Sequence, residues 1–347
     1  MNMKILCNTR VLGSNLTGAQ RYVLELTSRL SSDIELVAPQ KSLGGVRGHL
    51  WEQFCLPHKV GKNLLWSPSI TGPLSVKNQV VTIFDMVPFD HPEWLNPKFA
   101  AWYRFLVPKL ARKVKSIIVI SEFTKQRLLA YCPSVEDRVI VTPLAADPQF
   151  CPIDQGGISE MRSLLGISFP RYIVALGSLE PRKNLHRLIK AWELIHHDIP
   201  TDVYLVIAGS VGNKKVFGGL DFSDLPPRVK LVGHVKDSLL PALYSGALAT
   251  VYLSMYEGFG LPPLEAMACG TPVLSSNVAS IPEVVGDAGI LINPLDVGGI
   301  ALALKKLIED EDVRAKLSQL GLVQASKFNW NRTAKQTLDV LHQVMNS

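Results

Sequence analysis

The stretch ATVYLSMYEGFGLPPLEAMACGTPVLSS, residues 249–276, reads as one structural unit. ATVYLS is a continuous apolar strand, MYEGFG a glycine-bearing turn, LPPLEAMAC a short helix, and TPVLSS a second strand. A strand, a helix and a second strand that are both apolar throughout imply parallel pairing, with helices covering both faces of a sheet. Pro262 and Pro263 suit the first helical turn, where the ladder needs no N–H. Gly270 suits the position just past the helix end.

The same grammar runs along all 347 residues. In the first half, apolar runs fall at 3–8, 34–39, 63–68, 79–85, 116–121 and 138–144. In the second half they fall at 171–177, 203–209, 229–235, 249–254, 271–276 and 288–293. Segments with helical periodicity separate them, among them TGAQRYVLELTSRL (17–30) and NLHRLIKAWELIHH (184–197). The expected fold is α/β, with two Rossmann-like doubly wound domains facing a cleft. The expected domains are 1–150 and 151–329, divided in the Pro-, Gly- and Asp-rich stretch DPQFCPIDQGGISE (147–160), with residues 330–347 returning to the first.

Composition narrows the class. A 47% hydrophobic and 19% charged chain has enough apolar residues for packed cores. Five scattered cysteines, without a CxxC pair, form neither a disulfide frame nor a zinc site. No run reaches the roughly 18–20 apolar residues of a membrane span, and the N-terminus does not read as a signal peptide. The expected location is cytoplasmic, or peripheral on the inner face of the cell membrane. Residues 1–150 hold 18 Lys+Arg against 11 Asp+Glu, while residues 151–347 hold 18 against 19. A basic first half suits an anionic partner. KFAAWYRFLVPKLARKVKS (98–116), with aromatics among its cations, leaves open a peripheral membrane contact through that half. Pro108 is expected to interrupt this helix. No aromatic–basic RNA motif appears, so a nucleic-acid partner is not expected.

Four motifs carry chemistry. In 257–273, the helix N-terminus and the Gly258–Gly260 turn form a seat for phosphate. Glu265, inside the helix, is placed to clamp a ribose diol, and Glu257, at the strand end, to face a sugar. In ALGSLEPRKNLHRLIKAW (175–192), Arg182 and Lys183 stand at a strand mouth, suited to neutralising a diphosphate leaving group. Asn184 reads as an N-cap. SNLTGAQRY (14–22) places Gly18 at a strand-to-helix turn that is not GxGxxG. VVTIFD (80–85) ends with Asp85, placed either near an acceptor or as a plain turn aspartate.

Together these motifs resemble the retaining glycosyltransferases of family 4, whose two-domain fold is called GT-B. The resemblance spans nearly the whole chain and is most specific at EGFGLPPLEAMACGTPVLSS. It is also carried by GSLEPRKNL, SEFTKQRL (121–128), IPEVVGDAGILINP (281–294) and FNWNRTAKQTL (328–338). It implies transfer of a sugar from a nucleotide-diphosphate donor, without metal or cofactor. Residue by residue, it implies that Glu257 contacts the donor sugar and Glu265 the ribose, with Arg182 and Lys183 at the diphosphate. It implies that Gly258, Phe259, Gly260 and Leu261 line the phosphate–sugar loop, and that Gly233, His234 and Val235 contact the base. Gly18 is the glycine of the N-terminal loop. Phe84 stands where many relatives have histidine, offering an aromatic face to a sugar. Ser178, also counted with the donor-binding residues, replaces an arginine, and Ala145–Ala146 an Asn-Gly. The resemblance leans toward bacterial mannosyltransferases of surface-polysaccharide and lipopolysaccharide assembly. It thereby implies GDP-mannose and a saccharide or polyprenyl-diphosphate-linked acceptor. UDP- or dTDP-sugars, a nucleotide-sugar epimerase and a non-catalytic partner protein stay open as alternatives.

Overall fold

The computed structural model describes residues 3–13, 18–177, 180–209 and 225–347. The chain divides into two compact units, one of Met1–Leu144 with Asn329–Ser347, the other of Ala145–Phe328.

In the first unit six strands pair in parallel: β1 (Ile5–Asn8), β2 (Ile34–Val37), β3 (Leu64–Ser67), β4 (Gln79–Ile83), β5 (Ser116–Val119) and β6 (Val139–Val141). Their order is β2-β1-β3-β4-β5-β6. β1, β3, β4 and β5 are buried at every position, as continuous apolar runs between two helical layers require. The chain leaves β1 for one side of the sheet and returns to β3 on the other. A crevice therefore opens at the carboxyl ends of β1 and β3, where open α/β sheets bind ligands. The helix Trp330–Met345 completes this unit: Trp330 lies against Tyr22, ring centroids 6.3 Å apart, and Thr333 Oγ1 donates to Pro143 O at 2.7 Å.

In the second unit β7 (Arg171–Leu176), β8 (Val203–Ala208), β9 (Val229–Gly233), β10 (Ala249–Tyr252), β11 (Val273–Ser276) and β12 (Ile290–Ile292) pair in parallel. The order is β12-β11-β10-β7-β8-β9. Here the order reverses at β7, so the crevice lies between the carboxyl ends of β7 and β10. A core around the fully buried Trp192, with Leu205, Val251, Leu274 and Leu304, holds the helices Leu185–Ile195 and Val297–Glu309 to the sheet. All twelve strands expected from the apolar runs are present, each slightly shorter than its run.

Two local expectations are corrected. Pro108 does not interrupt its helix, which runs unbroken from Pro97 to Lys113. The carbonyl that loses its donor belongs to Arg104, an exposed residue, so water can take the donor's place. Tyr103, Leu106, Val107 and Leu110 meanwhile anchor the helix in the core. Phe84 is no stacking platform for a sugar. It is 8% exposed and packs edge-on against Tyr22 at 5.2 Å.

Candidate active site

The site is built from the two loops that flank the β7–β10 crevice. After β7 the chain makes a short turn, Pro181–Lys183, and enters the helix Leu185–Ile195 through Asn184. Asn184 sits at the N-cap position, but its side chain does not cap the helix. With φ 59° it takes a left-handed conformation, which asparagine tolerates better than most residues. Its buried amide donates to Pro294 O at 2.7 Å and its Oδ1 accepts from Arg187 at 2.8 Å. The expected capping bond is replaced by a tie between two loops.

After β10 the chain passes Tyr252 and Ser254 to Glu257. Met255 N donates to Arg182 O at 2.8 Å, which fixes one loop to the other. Ser280 Oγ lies 2.8 Å from both Glu257 O and Phe259 O and pins the turn from below. Gly260 has φ 114°, and a Cβ there would stand 2.7 Å from Ile281 Cδ1. Only glycine lets the backbone turn so sharply at this point. The helix Leu261–Ala268 follows, with prolines at its second and third positions. Leu261 is thus the one residue of its first three with an N–H to offer an anion.

The two motifs, 74 positions apart, meet at a single oxygen. Glu257 Oε1 accepts from Lys183 Nζ at 2.6 Å, Arg182 Nη1 at 3.0 Å, Tyr252 Oη at 2.7 Å and Ser254 Oγ at 2.7 Å. No described residue donates to Oε2. Lys183 Nζ also donates to Tyr252 Oη and stands 4.8 Å above its ring. Arg182 Nε donates to Glu180 at 2.7 Å. Burial alone would push the Glu257 carboxyl up, but Lys183 and Arg182 outweigh it and hold the group at about 2. Burial drives the Lys183 ammonium down, against the pull of Glu257. Burial would also lower Arg182, yet the charges around it, Glu257 foremost, raise it above its usual value. The result is a preorganised pair of cations held by one carboxylate.

Other sequence-derived residues fall around this centre or elsewhere. Glu265 is buried, 6% exposed, within the helix Leu261–Ala268. Gly258 and Phe259 form the turn between Glu257 and that helix. Gly233 ends β9 with φ 71°, followed by the exposed His234 and the buried Val235. All of these belong to the second unit. Gly18, which opens the helix Gly18–Arg29, and Asp85 belong to the first. Asp85 Oδ1 accepts from Val87 N at 3.0 Å, the bond of a turn aspartate. Ser178 lies outside the described residues. Among the described residues no three His, Cys, Asp or Glu side chains gather as a metal cage. All five cysteines are free. Sequence reasoning missed Tyr252, Ser254 and Ser280, although Tyr252 ends β10 and Ser254 stands two residues beyond it.

Residues 160–322 match the family described as glycosyl transferases group 1. The O-antigen chain mannosyltransferase B of Escherichia coli is 29% identical over 381 positions, covering 97% of this chain and 99% of that protein. The serotype-specific mannosyltransferase WbdA of Escherichia coli is 32% identical over 276 positions. That match covers 77% of this chain but 34% of the longer WbdA. Among solved structures, Anabaena HepE in complex with UDP-glucose superposes with a TM-score of 0.75 at 20% identity, over 99% of this chain and 100% of that one. The two six-stranded parallel sheets are thus those of the GT-B fold.

Proposed function

From its membership of the glycosyl transferases group 1 family, which makes this chain a glycosyltransferase, we propose that it transfers mannose from GDP-mannose. The acceptor is a saccharide, free or polyprenyl-diphosphate-linked, in surface-polysaccharide synthesis. The observation that carries this reading is the Arg182–Lys183–Glu257 cluster at the β7–β10 crevice. The names of the relatives support the sugar and the setting.

In this reading the donor diphosphate lies against Arg182, Lys183 and the backbone of Gly258–Leu261, and Glu265 receives the ribose hydroxyls. Glu257 keeps two partly buried cations compensated until the diphosphate arrives. Its second oxygen then faces the donor sugar. The acceptor oxygen bonds to the sugar C1 as the C1–O bond to the diphosphate breaks. The electron pair passes to the diphosphate oxygen, which takes the acceptor's proton, and GDP departs. Attack and departure on one face retain the anomeric configuration without a protein nucleophile. Catalysis here is positioning and charge stabilisation, with no metal or cofactor. Gly233–Val235 meet the base, and Gly18 and Asp85 serve the acceptor side. The basic first unit gives peripheral contact with the inner face of the membrane, with no nucleic acid involved.

A UDP-sugar donor is the second reading, because HepE was solved with UDP-glucose. Thermal denaturation with GDP, UDP, ADP, CMP or dTDP, without added metal, separates the two, since a ligand of the native state raises its apparent stability. A rise of several degrees with GDP alone is expected. A rise with UDP and none with GDP would replace mannose with another hexose.

A further inference from the structure

Four donors on one carboxylate oxygen are more than that oxygen can hold. A carboxylate offers about four lone-pair sites, roughly two on each oxygen. Glu257 Oε1 accepts from Lys183, Arg182, Tyr252 and Ser254, and no described residue donates to Oε2. The donors fall into two kinds. Lys183 and Arg182 are cations on long, jointed side chains, which a diphosphate attracts more strongly than a single carboxylate does. Tyr252 and Ser254 carry neutral hydroxyls that cannot follow them.

Tyr252 is 3% exposed, so its phenol has no room to swing toward a ligand. Its backbone is equally fixed. Tyr252 stands opposite Ser275 in the β10–β11 pair, and Ser275 Oγ donates to Tyr252 O at 2.8 Å. The ring lies 4.8 Å beneath Lys183 Nζ, and its Oη accepts from that ammonium while donating to Glu257 at 2.7 Å. Ser254, also buried, reaches Glu257 Oε1 at 2.7 Å. Burial and the Glu257 charge raise the Tyr252 phenol well above its ordinary value, so it stays a donor. The charged and titratable groups around Glu257 come from three elements. Lys183 and Arg182, with Glu180 behind Arg182, belong to the loop after β7. Tyr252 belongs to β10, and Tyr244, behind it, to the helix Leu240–Ser245. Ser280, below, bonds to the Glu257 backbone rather than to its carboxylate.

We infer that Tyr252, with Ser254 beside it, is a positioning residue of the transfer step. The two hydroxyls hold Glu257 ionised and in place through Oε1 while Lys183 and Arg182 turn to the diphosphate, which leaves Oε2 to the donor sugar. Two hydroxyl donors match the lone pairs of Oε1 once the cations have gone. The Tyr252 ring keeps Lys183 close throughout, because an ammonium is attracted to an aromatic face. The inference rests on the diphosphate donor proposed above, and not on which base or sugar that donor carries.

The probes are inorganic pyrophosphate and GDP, titrated by calorimetry into the full-length wild type, Tyr252→Phe and Ser254→Ala. Titrations at pH 5.0 and pH 7.0, each in two buffers of different ionisation enthalpy, give the protons taken up on binding. Before binding, Lys183 and Arg182 keep the Glu257 carboxyl low in all three proteins, at about 2 in wild type. In wild type it stays ionised when the cations leave it. In Tyr252→Phe the ring and its contact with Lys183 remain, but Glu257 then depends on Ser254 alone, and its buried carboxyl takes up a proton. The expected result is an excess over wild type of about half a proton per pyrophosphate bound at pH 5.0, and none at pH 7.0. Ser254→Ala removes the other hydroxyl, should show the same excess, and carries the test if Tyr252→Phe fails to fold. A side chain that merely packs the core would alter affinity or melting temperature without altering proton uptake. Equal uptake by wild type and every variant that folds, an excess as large at pH 7.0 as at pH 5.0, or no pyrophosphate binding by wild type would each overturn the inference. The expected uptake with pyrophosphate in a protein that does not bind GDP would sink the GDP-mannose reading alone.

Discussion

Glu257 shows how much a single atom can decide. Four donors converge on its Oε1, two of them cationic, and the group stays ionised to about 2 although it is largely buried. Breaking such a pair leaves charges buried without compensation, which costs on the order of 3–5 kcal/mol. Glu257→Gln should lose about that much stability at pH 7. The native carboxyl titrates lower than its unfolded value of 4.5, so its contribution is complete above pH 4.5. It is lost as pH falls toward about 2. Urea denaturation at pH 7 and at pH 3.5 should therefore show the gap between wild type and variant narrowing in acid. A gap that stays constant would mean that the charge of Glu257 is not what the fold uses. The sequence made Glu257, Arg182 and Lys183 legible as separate motifs, because each stands at the end of an apolar strand. Their mutual pairing was not legible, since nothing in residue order says which side chains of two loops share one oxygen.

At the scale of elements, strands were easier to read than helix details. Parallel strands buried on both faces leave uninterrupted apolar runs, and every such run became a strand. Helix interiors obey weaker local rules that tertiary packing overrides. Pro108 sits inside a 17-residue helix because Tyr103, Leu106, Val107 and Leu110 hold that helix to the core. An interior proline still forfeits a hydrogen bond, a cost of up to about 3 kcal/mol. Pro108→Ala should accordingly raise the melting temperature, read by circular dichroism. A lowered melting temperature would mean that the ring itself fills the core. Asn184 makes the same point at a helix start: propensity favoured a cap, and the neighbouring loop at Pro294 took the amide instead. The single π-helical turn Trp51–Cys55 had no sequence signal, since Glu52, buried in the structure, looks inside WEQFCLP like any exposed helical charge.

At the scale of the whole molecule, each unit is a doubly wound sheet with its own switch point and its own crevice. In the second unit the crevice lies between β7 and β10, and in the first between β1 and β3. Apolar periodicity identifies parallel sheets but not strand order, so the position of each crevice had to come from the structure. The last helix belongs to the first unit although it ends the chain, through Trp330 on Tyr22 and Thr333 on Pro143. The central claim is that the β7–β10 crevice seats a nucleoside diphosphate through Arg182 and Lys183. Calorimetric titration of GDP and of guanosine into wild type and Arg182→Gln tests it most directly. The account predicts that wild type prefers GDP to guanosine by at least a hundredfold, and that Arg182→Gln loses at least tenfold in GDP affinity while guanosine binding is unchanged. Equal GDP affinity in the two proteins would contradict it.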